Sequence, residues 1–201
     1  GEFILDGNRH TVSSYINDRI PHRSGDLVKV DQLQKDIFYF NSTNDIQMKA
    51  ELKPGKEVGT TDCILYLREP EVWHTTLFTD NAGRSESGLY RTGMVIENNS
   101  VFGNRESLVL NPTWTKGTMA GSIFYSIPMD NRGTRIGVSY SENQTEIISG
   151  TYQSMDIVGD SRDVGLTITH PYVVKEKRKA DVFGEIHWKN SSTDFFGNTL
   201  L

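Results

Sequence analysis

Cysteine is almost absent: Cys63 is the only one in 201 residues, so no internal disulfide can staple the fold. Its place in the apolar run CILYL (63–67) suits a small buried hydrophobe rather than a reactive thiol. Long hydrophobic runs are missing as well. A membrane-crossing helix takes roughly 20 consecutive apolar residues, and no stretch of this chain approaches that. A helical membrane protein is thereby excluded. A membrane barrel is not, because its strands alternate apolar and polar residues and average to a polar composition, which the mean hydropathy of -0.47 permits. Nor is there a basic excess: 21 Lys+Arg stand against 26 Asp+Glu, a net charge of -5. Nucleic acid, which selects basic surfaces, is not an expected partner. The chain opens at GEF with no Met and no charged-then-apolar leader, so the start of a longer protein is expected to be missing.

Catalytic patterns are missing too. There is no H-E-x-x-H, C-x-x-C, G-x-S-x-G or phosphate-binding Gly-rich loop. His10, His22, His74, His170 and His187 are scattered without metal-ligand spacing. The carboxylates of GDSRD (159–163) read as a loop cluster without the calcium-loop pattern. Asn41, Asn98, Asn143 and Asn190 begin Asn-x-Ser/Thr triplets, which in a chain this rich in Asn are mostly coincidence. The expectation is a protein that is not an enzyme, with no cofactor and no metal.

What is present divides into two parts, 1–72 and 73–201. In the first, FILDG (3–7) reads as a strand ending in a turn. TVSSYINDRI (11–20) reads as a helix with Thr11 as its N-cap. VDQLQKDIFYF (30–40) is the clearest helix, with Asp31 as a cap and Leu33, Ile37 and Phe40 in one stripe. Two strands follow, DIQMKAEL (45–52) and TDCILYLRE (61–69), joined through a Pro-Gly turn. Strand, helix, helix, strand, strand packs naturally as a three-stranded sheet covered by two helices.

The second part has almost no helical period. About seven alternating segments are separated by Gly, Asn, Ser and Asp clusters, at 73–81, 89–97, 106–114, 120–128, 135–142, 163–170 and 180–188. In 135–142, for example, Ile136, Val138 and Tyr140 oppose Arg135, Gly137, Ser139 and Ser141. Trp73, Trp114, Tyr172 and Trp188 lie at segment ends, where rings suit a lipid–water boundary. Any one such strand fits a soluble antiparallel sheet with one wet face. The whole series, near the length that crosses a bilayer at a tilt, fits a membrane barrel.

ELKPGKEVGTTDCILYLRE (51–69) resembles the end of the second POTRA module in outer-membrane transporters of two-partner secretion, the haemolysin-activator type (TpsB), and FILDGN with SGDLVKVDQLQKDIFYFN resembles the start of that module. TDNAGRSESGLYRTG (79–93), ENNSVFGNRESLVL (97–110), FYSIPMDNRGTRIGVSYS (124–141) and THPYVVKEKR (169–178) resemble successive hairpins and turns of the same family's barrel. The family's first POTRA module, plug helix and late Arg-Gly loop motif have no counterpart here, and its barrel has about sixteen strands where the smallest bacterial barrels have about eight. The resemblance therefore implies an α+β POTRA module followed by the strands of an incomplete antiparallel transmembrane barrel.

It also implies a role. POTRA modules would hang in the periplasm of a Gram-negative cell and catch an unfolded exoprotein of haemolysin or adhesin type, which threads through the barrel in the outer-membrane lipid. Capture by strand addition at 45–52 points to Ile46, Met48 and Ala50, with Leu33 and Ile37 beside the groove. The same five side chains equally suit a core. Arg91, Glu97 and Arg135 would line the lumen, along the path or in a salt-bridge network. Two other readings remain: an outer-membrane barrel-assembly factor of the same superfamily, and a soluble secreted β-sandwich.

Overall fold

The structure is a computed structural model, which describes residues 1–196 and 198–200. The N-terminal module contains β1 (Phe3–Asp6), α1 (Ser13–Arg19), α2 (Val30–Thr43), β2 (Gln47–Pro54) and β3 (Thr61–Arg68). Its sheet runs β1-β3-β2, with β1 parallel and β2 antiparallel to the central β3. β3 is buried at every second residue, Cys63, Leu65 and Leu67, so its apolar face is fixed against the helices. Ile16 and Ile20 from α1 and Leu33 and Phe40 from α2 close the core over Ile46 and Met48. Each such side chain contributes about 1.5–3 kcal/mol by leaving water.

The helix ends differ from expectation. α1 is preceded by Val12 in extended conformation with no side-chain cap. Thr11 is instead buried, with no hydrogen-bond partner for its hydroxyl among the described residues. α2 begins after Lys29, and Asp31 falls in its first turn, where it favours the helix dipole without capping a backbone N–H.

Among the described residues, the rest of the chain forms one antiparallel sheet of nine strands. These are β4 (Trp73–Asp80), β5 (Arg91–Asn98), β6 (Ser107–Leu110), β7 (Thr113–Trp114), β8 (Thr118–Pro128), β9 (Arg135–Glu146), β10 (Val158–Lys175), β11 (Arg178–Phe195) and β12 (Asn198–Leu200). Each strand pairs with its sequence neighbours except β6 and β7, which do not pair with each other and both lie between β5 and β8. Pro112 splits the segment expected at 106–114 into β6 and β7. β10 and β11 have 18 residues each, far beyond the alternating cores at 163–170 and 180–188. GDSRD, expected as a loop, lies inside β10.

Register sorts the side chains into two faces. One apolar row runs Ile96, Leu110, Ile123, Tyr140, Val164, Trp188 across six strands. The next row is Leu108, Tyr125, Val138, Leu166, Ile186. No second layer covers them among the described residues: Ile123, Val138, Val164, Leu166, Ile186 and Trp188 are all exposed. A β-sandwich buries such rows between two sheets, so this single sheet does not fit that reading. The opposite face carries His74, Glu97, Val109, Phe124, Ser139, Gly165 and His187 in one row. Glycine is needed there at position 93: a Cβ would lie 2.5 Å from Phe78 Cζ and 2.8 Å from the Pro112 carbonyl oxygen.

Candidate functional site

β2 is an edge strand, as the sequence suggests, with α2 beside it. Of the five residues expected at the groove, Ile46, Met48 and Leu33 are core, at 0, 1 and 3% exposed. Ile37 is half-buried and Ala50 exposed. The accessible side-chain surface is thus smaller than their spacing suggests, while the strand's outer backbone edge extends past it. Sequence reasoning missed Asn41. Its side chain accepts a hydrogen bond from the Met48 N–H at 2.7 Å and donates one to the Met48 carbonyl at 3.0 Å.

Arg91, Glu97 and Arg135 all fall on the polar face of the large sheet by register. Arg91 holds Asp80 through two bonds of 2.8 Å. Arg135 is half-buried and donates to the Arg105 carbonyl and Ser126 Oγ, both at 3.0 Å. It braces the end of the sheet nearest the module. Glu97 stands opposite His74 and Val109 and is half-buried.

The chain enters the sheet at Trp73, so every second turn returns to the end where the module sits. Three of these turns grip it. In the first, between β5 and β6, Gly103 accepts from the Val12 N–H at 2.9 Å and Ser100 Oγ donates to the His10 carbonyl at 2.7 Å. Arg105 from the same turn has left-handed backbone (φ 58°) and pairs with Asp45 through Nε at 3.0 Å and also through Nη2. Its Nη1 is buried without a hydrogen-bond partner among the described residues. In the second, between β8 and β9, Arg19 donates to the Asp130 carbonyl (2.7 Å) and Tyr39 to the Arg132 carbonyl (2.8 Å). In the third, at the start of β11, Lys179 donates to the Ser42 carbonyl at 3.0 Å. A cleft of about 330 Å³ remains between α1 and the first two turns, with Tyr15, Arg19, Glu106 and Asp130 on its walls.

Carboxylates tie together the first two of these turns. Burial pushes the Glu106 carboxyl up, but its own backbone N–H, the N–H groups of Phe102 and Asn104, each at 3.1 Å, and the Asn104 side-chain amide together outweigh it and leave it below its ordinary value. Asp130 behaves the same way. Burial raises it, and the Thr134 hydroxyl with the N–H groups of Thr134 and Arg132 lower it further than burial raises it. Burial likewise raises the Tyr15 phenol, which donates to Asn44 Oδ1 at 2.5 Å. The segment ENNSVFGNRESLVL (97–110) carries the sequence signal for the first turn through its resemblance to the family; nothing local marks Asp45 as the partner of Arg105.

Hemolysin transporter protein HpmB of Proteus mirabilis is 25% identical over 183 residues, 88% of this chain and 32% of that protein. The chain thus spans about a third of the length of this curated relative. CdiB from Escherichia coli superimposes with a TM-score of 0.71 at 14% identity, over 99% of this chain and 38% of CdiB. CdiB from Acinetobacter baumannii gives 0.67 at 18%, over 100% and 39%. BamA from Haemophilus ducreyi gives 0.54 at 12%, over 96% and 42%. These likenesses show a shared fold. The model of the haemolysin secretion/activation proteins ShlB/FhaC/HecB matches residues 59–201, most of the chain, and the chain belongs to that family.

Proposed function

We propose that the chain supplies a POTRA module (1–72) and the first barrel strands (73–201) of a transporter that secretes one dedicated exoprotein of haemolysin or adhesin type by two-partner secretion. The observation that carries this reading is the large sheet. Its apolar rows lie uncovered along one face while its turns at one end hold a soluble α+β module. Bilayer hydrocarbon is the environment in which such rows are stable. The sheet then belongs in the outer membrane of a Gram-negative cell, with the module in the periplasm.

The unfolded exoprotein adds a strand to the β2 edge, with Ile37 and Ala50 as the accessible side chains and Leu33, Ile46 and Met48 supporting them from the core. It then passes along the polar face, where Arg91, Glu97 and Arg135 set the electrostatics, the first and last already engaged by Asp80 and by the Arg105 turn. Neither step uses a cofactor or nucleotide. The likeness to BamA supports a second reading, an assembly factor for other barrels.

Leu52→Pro in the complete transporter tests capture. It deletes one backbone N–H from the strand edge, where proline is tolerated. Exoprotein in the medium falls several-fold while the amount of folded transporter in the outer membrane is unchanged. Undiminished secretion refutes capture at this edge. Loss of other outer-membrane barrels on depletion, with secretion intact, favours the assembly reading.

A further inference from the structure

Backbone groups along an antiparallel edge strand point alternately inward and outward. In β2 the outward set is Met48, Ala50 and Leu52. Opposite Leu52, Cys63 gives its N–H to Glu2 on the β1 side of the sheet, 2.9 Å away, so the Leu52–Cys63 pair exchanges no bonds. The same alternation applies at Ala50–Leu65 and Met48–Leu67.

The outward groups are not equivalent. At Met48 both are taken by Asn41, Oδ1 accepting at 2.7 Å and Nδ2 donating at 3.0 Å. One planar amide makes the pair of bonds that a residue of a neighbouring strand makes. At Ala50 and Leu52 no side chain does this among the described residues. The next outward position, Pro54, has no N–H to offer. The open stretch is therefore two outward residues long, bounded by an amide at one end and a proline at the other. Leu52, 40% exposed, and Ala50 border it with apolar surface.

We propose that Asn41 is a built-in strand mimic that closes the β2 edge at Met48 and confines an incoming extended polypeptide to Ala50 and Leu52, fixing its register. This rests on the capture reading above. An edge this short also resists pairing with the same edge of a second copy.

The test uses the 201-residue chain in detergent micelles and a capped nine-residue peptide of alternating threonine and valine, with backbone amide exchange read residue by residue. Without peptide, the Met48 amide is protected, and Asn41→Ala releases it while Cys63 stays protected. With peptide, the parent chain gains protection at Ala50 and Leu52 only. Asn41→Ala extends that protection to Met48 and tightens binding by on the order of tenfold, as two further backbone hydrogen bonds would. Asn41→Asp keeps the acceptor for the Met48 N–H and loses the donor, so it falls between the two and serves if the alanine variant does not fold. An unprotected Met48 amide in the parent chain overturns the proposal. So does a footprint and affinity that Asn41→Ala leaves unchanged. Peptide that protects neither Ala50 nor Leu52 in any variant refutes the capture reading itself, and the register role falls with it.

Discussion

Asp45→Asn strikes the junction between module and sheet at its most buried charge. The Arg105 side chain is 2% exposed and Asp45 44%. Breaking a fully buried ion pair costs about 3–5 kcal/mol, and an exposed one about 0.2–1 kcal/mol. With one partner buried and the other half in water, about 2 kcal/mol is expected. Asparagine keeps the shape and one acceptor, so the loss reports charge. The natural reporter is the Val12 amide, which bonds the Gly103 carbonyl across the junction at 2.9 Å. Its protection lasts only while the module is docked, and a 2 kcal/mol loss speeds its exchange roughly thirtyfold. The Cys63 amide, bonded to Glu2 inside the module, serves as control and changes less than about twofold. Acceleration of Val12 below about threefold refutes the estimate. Equal acceleration of Cys63 means that the module has unfolded rather than undocked.

Two further outcomes are expected. Asp130 has a folded pKa below its ordinary value, so its stabilisation of the 129–134 turn is complete above the ordinary carboxylate range and is lost as pH falls through the lowered value; a carboxyl titration by NMR that finds the midpoint at or above the ordinary value contradicts this. Gly93→Ala drives a methyl into Phe78 and the Pro112 carbonyl and costs about 1–3 kcal/mol in urea unfolding in detergent. Adding Phe78→Ala recovers only part of that, because the carbonyl remains, and full recovery shows that the ring alone sets the limit.

The order of the helices and the longer strands was legible because each carries its own period, while the short β7 and β12 were not. The stripe Leu33, Ile37, Phe40 wrote α2, and alternation wrote the strands. Strand lengths were not legible. Alternation lasts only where one face meets an apolar surrounding, whereas the backbone ladder continues beyond it. Arg162 on β10 bonds Glu142 on β9 at 2.9 Å, extending the sheet with a polar pair where the sequence looks like a loop. The polar face was readable from the same alternation, and so Arg91, Glu97 and Arg135 fell together. The groove residues were harder, because periodicity locates the inward side of β2 and α2 but not how deep each position lies. Asn41, Asp45 and Arg105 gave no local signal, since their partners lie 7 and 60 residues away.

The three turns that grip the module have a mechanical consequence. Two supports leave a body free to swing about the line between them, like a door. A third support off that line removes the hinge. The turns carrying Arg105, Asp130 and Lys179 come from different hairpins spread across the sheet, and they meet the module at Asp45, at Arg19 and at Ser42. The β2 edge therefore keeps one bearing relative to the sheet while all three hold. To tilt it, at least one support must let go first, so reorientation proceeds in steps, each gated by a few polar bonds, rather than as a gradual sway.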